Sequence, residues 1–452
     1  MSANTILIYN ATIVNGSEQF VGYVCVKGKF IEKVGKGSPE ERYFEQAQEQ
    51  IDAKGMLLLP GAIDDHVHFR EPGLTHKATI YSESRAAVMG GVTSFMDMPN
   101  VKPATTTIEL LEQKREIARR DSVANYSFYI GATDDNFEET QKVDFRHCPG
   151  VKLFMGSSTG NMLVSDEEAL DRLFTETKAL IAVHAEDEAI IRANRTKYAS
   201  DKEDLPVEMH PVIRSEEACY TCTARAVALA KRHNSRLHVL HISTARELEL
   251  FSSQPLSTDK RITAEACLSH LWFCDEDYAQ FGTRIKCNPA IKTATDREAL
   301  REALLNGKID VIGTDHAPHL LSEKDGGCLK AVSGMPSVQF SLVLMLELAR
   351  QGVLSTAQVV EKMCHAPALL YRVQSRGFIK EGYFADLVLV EQKEWTISDG
   401  DVASKCTWTP FAGVTLHHKV HTVFVNGTKA YDSETGLNGE CHGEELEFDN
   451  DF

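Results

Sequence analysis

A (β/α)8 TIM-type barrel carrying a small β-sandwich domain built from both chain ends is the fold this sequence predicts, on three observations. Eight apolar runs in the middle of the chain alternate with amphipathic helical stretches, the pattern of parallel βαβ units. Most of those runs end in His, Asp, Asn or Lys, as expected where catalytic groups gather at the C-terminal ends of barrel strands. Both chain ends read instead as short strands joined by tight turns. With 452 residues the chain exceeds what one compact core usually organises, so a large and a small domain are expected.

The first strands are Ile6 to Val14, Gly22 to Gly28 and Lys29 to Gly35, with turns at Asn15-Gly16 and Lys27-Gly28. Ala385 to Glu391 and His421 to Tyr431 echo them near the other end, and Asn426-Gly427 is a strong hairpin signal. These ends, 1–56 and 370–452, are assigned to the small domain and 57–369 to the barrel. The eight strand candidates span 57–69, 93–100, 125–134, 150–156, 180–187, 236–244, 261–270 and 310–319. Among the helices, capping boxes are expected at Ser165 with Glu168 and at Thr295 with Glu298, the latter helix stopping at Asn306-Gly307. A doubly wound open sheet is disfavoured because the Gly-rich dinucleotide fingerprint is missing after the first strand. The acidic tail from Asn438 onward is expected to fray.

Composition narrows the function. A formal charge of −17 with no basic face argues against a nucleic-acid partner. No apolar run approaches the ~20 residues of a membrane span, and the first residues lack the basic and apolar regions of a secretory signal. A cytoplasmic location and a small-molecule substrate are expected. Eleven cysteines without framework spacing suit reduced thiols, and Cys219 and Cys222 read as helix packing.

The chemistry is carried by strand ends. Asp65-His66-Val67-His68 closes the first run, and residues two apart on a strand face the same side, so both imidazoles can reach one cation. Alone, an H-x-H pair is more often two surface histidines. Here His184, His241, Asp315 and Lys152 each close another run, and a shared rim makes them a metal site. Lys152 leaves two alternatives open. An ammonium cannot coordinate zinc, so it is either a structural lysine or a lysine carbamylated into an anionic bridge between two ions. The metal is expected to be Zn2+, one ion or two.

The H-x-H after strand one, the strand-four Lys, the strand-five and strand-six His and the strand-eight Asp together resemble the amidohydrolase superfamily over nearly the whole chain. Within its cyclic amidohydrolases, His66-Val67-His68-Phe69-Arg70-Glu71-Pro72-Gly73 is similar to the dihydroorotase signature, as are Met98-Pro99-Asn100 and Thr314 to His319. The resemblance implies that His66, His68 and Asp315 hold one zinc, that His184 and His241 hold the other, and that carbamylated Lys152 bridges them. It implies reversible hydrolysis of dihydroorotate to N-carbamoyl-L-aspartate, a step of pyrimidine biosynthesis, with Asp315 taking a proton from the attacking water and passing it to the amide nitrogen. Arg70, Asn100 and His319 would cradle the substrate carboxylate, which a guanidinium fork matches in a bidentate manner, and Asn288 would meet the ring. Barrels of this kind often assemble as homo-oligomers such as dimers.

Two stretches depart from the family pattern: Asn288-Pro289-Ala290-Ile291-Lys292 replaces Asn-Pro-Pro-Leu-Arg, and Gly334 to Gln339 replaces a Gly-Pro-Gly-x-Glu element. The competing readings are an allantoinase or hydantoinase, set apart by Arg70, and a scaffold protein that has lost its chemistry, set apart by the intact ligand set. Asp64 and Asp65 are read as orienting the ligand pair. His270 is read equally as pocket lining or structure, and His76, His365, His417 and His418 carry no site argument.

Overall fold

The computed structural model describes residues 4–156, 162–199, 202–256 and 260–450. It is a mixed α/β fold containing two kinds of sheet. One is a nine-stranded sheet drawn from both ends of the chain. Its central order runs Thr415–Val425, Leu387–Thr396, Leu57–Pro60, Thr5–Asn15, Glu18–Lys27, Phe30–Lys36. Its strands carry blocks of consecutive buried residues, Ile6 to Ile8 and Tyr23 to Val26 among them, so this sheet is covered on both faces there.

The other strands are parallel and lie in two sheets. Ala62–Val67, Val92–Asp97 and Asn125–Phe128 pair in that order. Ile130–Gly131, Val151–Phe154, Ile181–His184, Leu237–Val239, Ile262–Cys267 and Val311–Gly313 form the second row. Val67 also makes a parallel bridge to His316, just past the last strand. All six residues of Ala62–Val67 and of Val92–Asp97 are buried, as strands covered on both faces require.

Several expectations need correcting. The run 57–69 is two strands, not one. Leu57–Pro60 pairs with the terminal strands, and the chain turns at Gly61, where an added Cβ would fall 2.0 Å from Thr93 Oγ1. The helix Glu167–Glu176 is capped by Asp166, whose side chain accepts from Ala169 N–H, and not by Ser165. Ala294–Leu305 is capped by Thr293 boxed with Asp296, two residues ahead of the expected pair, although it does stop at Asn306-Gly307. Each true cap holds extended backbone with its side-chain oxygen over a free N–H.

The tail does not fray. Leu446 and Phe448 are fully buried, Leu446 N–H donates to Tyr126 O at 2.9 Å, and Tyr126 N–H donates to Glu444 O at 3.0 Å. The tail thus lies along Asn125–Phe128, with its charged residues alternating outward. Cys219 and Cys222 are buried on the helix Glu216–His233, and all eleven cysteines are free and buried. No helix among the described residues is long and apolar enough to cross a membrane.

Candidate active site

Nine of the ten residues nominated from sequence line one cavity with about 520 Å³ of empty space, partly open to solvent. They are His66, His68 and Arg70, then Asn100, Lys152, His184, His241, Asn288 and Asp315. Most come from the C-terminal ends of the parallel strands or the turns that follow, whereas Lys152 is the second residue of Val151–Phe154 and Asn288 lies beyond several short helices after Ile262–Cys267. His319 is the exception and stands behind Arg70. Arg70, His241 and Asp315 adopt left-handed backbone, with φ of 67°, 39° and 47°. Such conformations cost of order 1–3 kcal/mol each and gather where surrounding structure fixes a side chain for function.

The histidine rings are set as metal ligands require. His66 Nδ1 lies 2.9 Å from Glu265 Oε1, and His68 Nδ1 lies 2.7 Å from Asn100 Oδ1. Each acceptor fixes the proton on Nδ1 and leaves Nε2 as a lone-pair donor. Both Nε2 atoms face one point, at 3.3 and 3.0 Å from Asp315 Oδ1. His184 Nδ1 and His241 Nε2 converge at 2.9 Å beside them, and the His66 and His241 ring centres are 5.2 Å apart. Burial pushes His66 and His68 down to about 4, so both rings are neutral near pH 7. Against the upward pull of burial, the neighbouring histidines and Lys152 hold the Asp315 carboxyl well below the usual carboxylate range.

Lys152 faces into this cluster and is not an outward structural lysine. It is buried, its Nζ has no hydrogen-bond partner, and burial pushes it down to about 7. A buried amine without a hydrogen-bond partner is costly as an ammonium, and its neutral form is the one that can add carbon dioxide. The donor set of neutral imidazole nitrogens, carboxylate oxygen and an orphaned amine fits borderline-soft divalent ions such as zinc.

The opposite wall is cationic. Arg70 is buried, and burial pushes it down to about 10, so it stays charged. Its Nε donates to Pro318 O at 3.1 Å and its Nη2 lies 2.9 Å from His319 Nε2. Among the described residues no carboxylate approaches it within 4.0 Å. Asn100 faces this wall while committing its amide oxygen to His68, and Asn288 Oδ1 lies 3.0 Å from His210 Nε2.

Residues that sequence reading missed hold these groups in place. Glu265 Oε1 accepts from His66 Nδ1, from His241 N–H at 2.8 Å and from Cys267 Sγ at 3.2 Å. Burial, with Asp65 alongside, pushes its carboxyl well above the usual range. Glu186 ion-pairs with Arg214 and lies 3.1 Å from His184 Nε2 without hydrogen-bond alignment. His210 fixes Asn288, and His270 Nε2 meets Pro289 O at 3.0 Å, so His270 supports that arm structurally. Asp64 ties the first strand to the last by accepting from Thr314 Oγ1 at 2.6 Å, whereas Asp65 turns toward His238, 3.4 Å away. A polar residue inside an otherwise apolar strand, as at Glu265, was the available signal.

A mixed α/β frame with buried histidines, an aspartate and a lysine gathered at parallel strand ends defines a metal-site hydrolase class. Residues 57–430 match the model of the Amidohydrolase family, and the chain belongs to that family. It is 34% identical over 434 residues to a dihydroorotase of Halobacterium salinarum, covering 95% of this chain and 97% of that protein. It is 30% identical over 414 residues to an allantoinase of Bacillus velezensis, covering 90% of each. Among solved structures, L-hydantoinase (dihydropyrimidinase) from Arthrobacter aurescens superposes with a TM-score of 0.92 at 26% identity, over 99% of this chain and 100% of that one.

Proposed function

We propose that this chain is a zinc-dependent dihydroorotase, opening the cyclic amide of (S)-dihydroorotate to N-carbamoyl-L-aspartate and closing it again. The observation that carries the reading is Arg70, a buried guanidinium on the cavity wall, two residues past a metal-ligand candidate, without a carboxylate partner among the described residues. A substrate carboxylate would supply the missing counter-charge. Allantoin and hydantoin carry none.

His66, His68 and Asp315 would hold one ion and His184 with His241 a second, Lys152 joining them as a carbamate. Zinc there would supply the Lewis acidity that polarises the ring carbonyl and acidifies water. Asp315 takes the proton of the attacking water at its carboxylate and passes it to the departing amide nitrogen. Arg70 anchors the carboxylate with His319 beside it. Asn288 reaches the ring ureide, and Asn100 presents its amide nitrogen while its oxygen orients His68.

The same reading closes the parallel strands into one eight-stranded barrel. Its supports are that Tyr129 alone separates Asn125–Phe128 from Ile130–Gly131, and that Val67 bridges to His316. It makes 57–369 the barrel and 1–56 with 370–452 a small β-sandwich domain, with Leu57–Pro60 lending its backbone to the latter.

The test is turnover of dihydroorotate, allantoin and hydantoin side by side, with zinc measured on the same sample. Hydrolysis confined to dihydroorotate, with one or two zinc ions per chain, is expected. Preference for allantoin or hydantoin overturns the substrate, and folded protein that takes up no zinc overturns the enzyme.

A further inference from the structure

Downstream of Arg70 the chain doubles back: Leu74 N–H donates to Arg70 O and Lys77 N–H to Leu74 O, each at 3.0 Å. Gly73 makes this possible, with φ of +80° and no room for a Cβ, which would fall 1.9 Å from Lys102 O. Lys77 is thereby brought to the far side of His319. Its Nζ lies 2.7 Å from Glu323 Oε1 and 2.9 Å from His319 Nδ1, while Arg70 Nη2 lies 2.9 Å from His319 Nε2.

The two charged neighbours of this ring are donors, and the Ser333 carbonyl beside it is a neutral acceptor. An ammonium and a guanidinium accept nothing, and a neutral imidazole offers one N–H and one acceptor nitrogen. An imidazolium would aim an N–H at each cation, which is worse. Only one of the two contacts can be a hydrogen bond. Lys77 is pinned by Glu323 and aims an N–H at Nδ1, so the ring proton resides on Nε2. His319 and Arg70 then present N–H groups to the same wall; the chain offers the ring only the neutral Ser333 carbonyl, and an anionic acceptor from outside serves both groups at once.

We infer that Lys77 is a positioning residue: by holding His319 as an Nε2–H donor beside Arg70, it makes this wall of the cavity selective for a carboxylate. The inference deepens the dihydroorotase reading and rests on it for the substrate's identity. Without Lys77 the ring can carry its proton on Nδ1, toward Glu323 Oε2 at 3.7 Å, and accept from Arg70 on Nε2. The pair would be satisfied internally, and the substrate would lose one charge-assisted hydrogen bond.

The experiment is calorimetric binding of orotate and of uracil, the same ring without the carboxylate, to zinc-loaded full-length protein. Wild type, Lys77→Met, Lys77→Arg and Glu323→Gln are compared by the ratio of the two affinities, from which any inactive fraction cancels. Lys77→Met is expected to lower the preference for orotate by ~10- to 100-fold, the worth of one hydrogen bond to a charged group. Lys77→Arg should restore most of it, and Glu323→Gln should lower it by a smaller factor. A ratio unchanged in both Lys77→Met and Glu323→Gln overturns the inference even if dihydroorotate is turned over. Wild-type protein that prefers orotate yet fails to hydrolyse dihydroorotate overturns the catalytic reading and leaves the role of Lys77 standing.

Discussion

Glu265 offers a quantitative test of how the histidine cluster is held. One oxygen, Oε1, receives His66 Nδ1 at 2.9 Å and His241 N–H at 2.8 Å, so a single atom orients two proposed ligands from different strands. Glu265→Leu strips both donors of their acceptor at a buried position. Each orphaned buried donor costs about 1–3 kcal/mol, which would sum to about 2–6 kcal/mol. Against this, the variant removes a buried carboxylate that stands beside Asp65, and relief of that burial offsets part of the loss. A net destabilisation of about 1–4 kcal/mol is expected in denaturant titration of the zinc-free protein. Zinc affinity should fall further, by ~10- to 100-fold, because both rings lose their fixed tautomer or orientation. Glu265→Gln, which keeps an acceptor oxygen of the same shape, should lose less. Competition against a chromogenic chelator measures the affinity. If Glu265→Leu bound zinc within about twofold of wild type, the claim that this carboxylate orients the ligands would be wrong.

Arg70→Met should lower kcat/KM for dihydroorotate by ~10²–10⁴, the worth of two charge-assisted hydrogen bonds at about 1.5–3 kcal/mol each, with zinc content unchanged; unaltered turnover would refute its role. Ending the chain at Cys441 removes Leu446 and Phe448, both fully buried, and at about 1.5–3 kcal/mol per side chain it should lower Tm clearly, whereas an unchanged Tm would mean that the tail contributes nothing. All eleven cysteines are buried, and burial pushes Cys148 up to about 11, Cys219 to about 12 and Cys222 well above the usual thiol range. Ellman's reagent should therefore react slowly with native protein and promptly with all eleven thiols in denaturant; rapid native labelling of several would contradict the packing.

That these side chains share one cavity was legible because most of them end an apolar run, and parallel strands bring such ends together whatever their separation in sequence. His66, His184, His241 and Asp315 needed no further information. Glu265 was visible as a carboxylate inside a strand, but its role was not: that lies in one oxygen shared by two other strands, which no local pattern records. Asn100 was read as facing substrate, yet its amide oxygen is committed to His68, a choice only tertiary packing makes. The helix caps were misplaced by one or two residues because Ser165, Asp166, Thr293 and Thr295 are all competent caps and the local backbone selects among them. The tail misled through its charge. Leu446 and Phe448, two apart, carry the period of a strand, but their burial depends on the edge of Asn125–Phe128, more than three hundred residues upstream.

The strand Leu57–Pro60 lies between Thr5–Asn15 and Leu387–Thr396, with Leu59 opposite Val388. Its second neighbour emerges from the ribosome some 330 residues after it does. At ~5–20 residues per second that interval is ~15–70 s, during which an apolar strand edge waits without its neighbour on that side. Synthesis therefore exposes this protein to off-pathway association for most of its translation, and a nascent chain arrested late would carry an assembled site on an unfinished scaffold. Codon usage or chaperone supply that shortens the wait should raise the yield of active protein without altering any contact in the finished molecule.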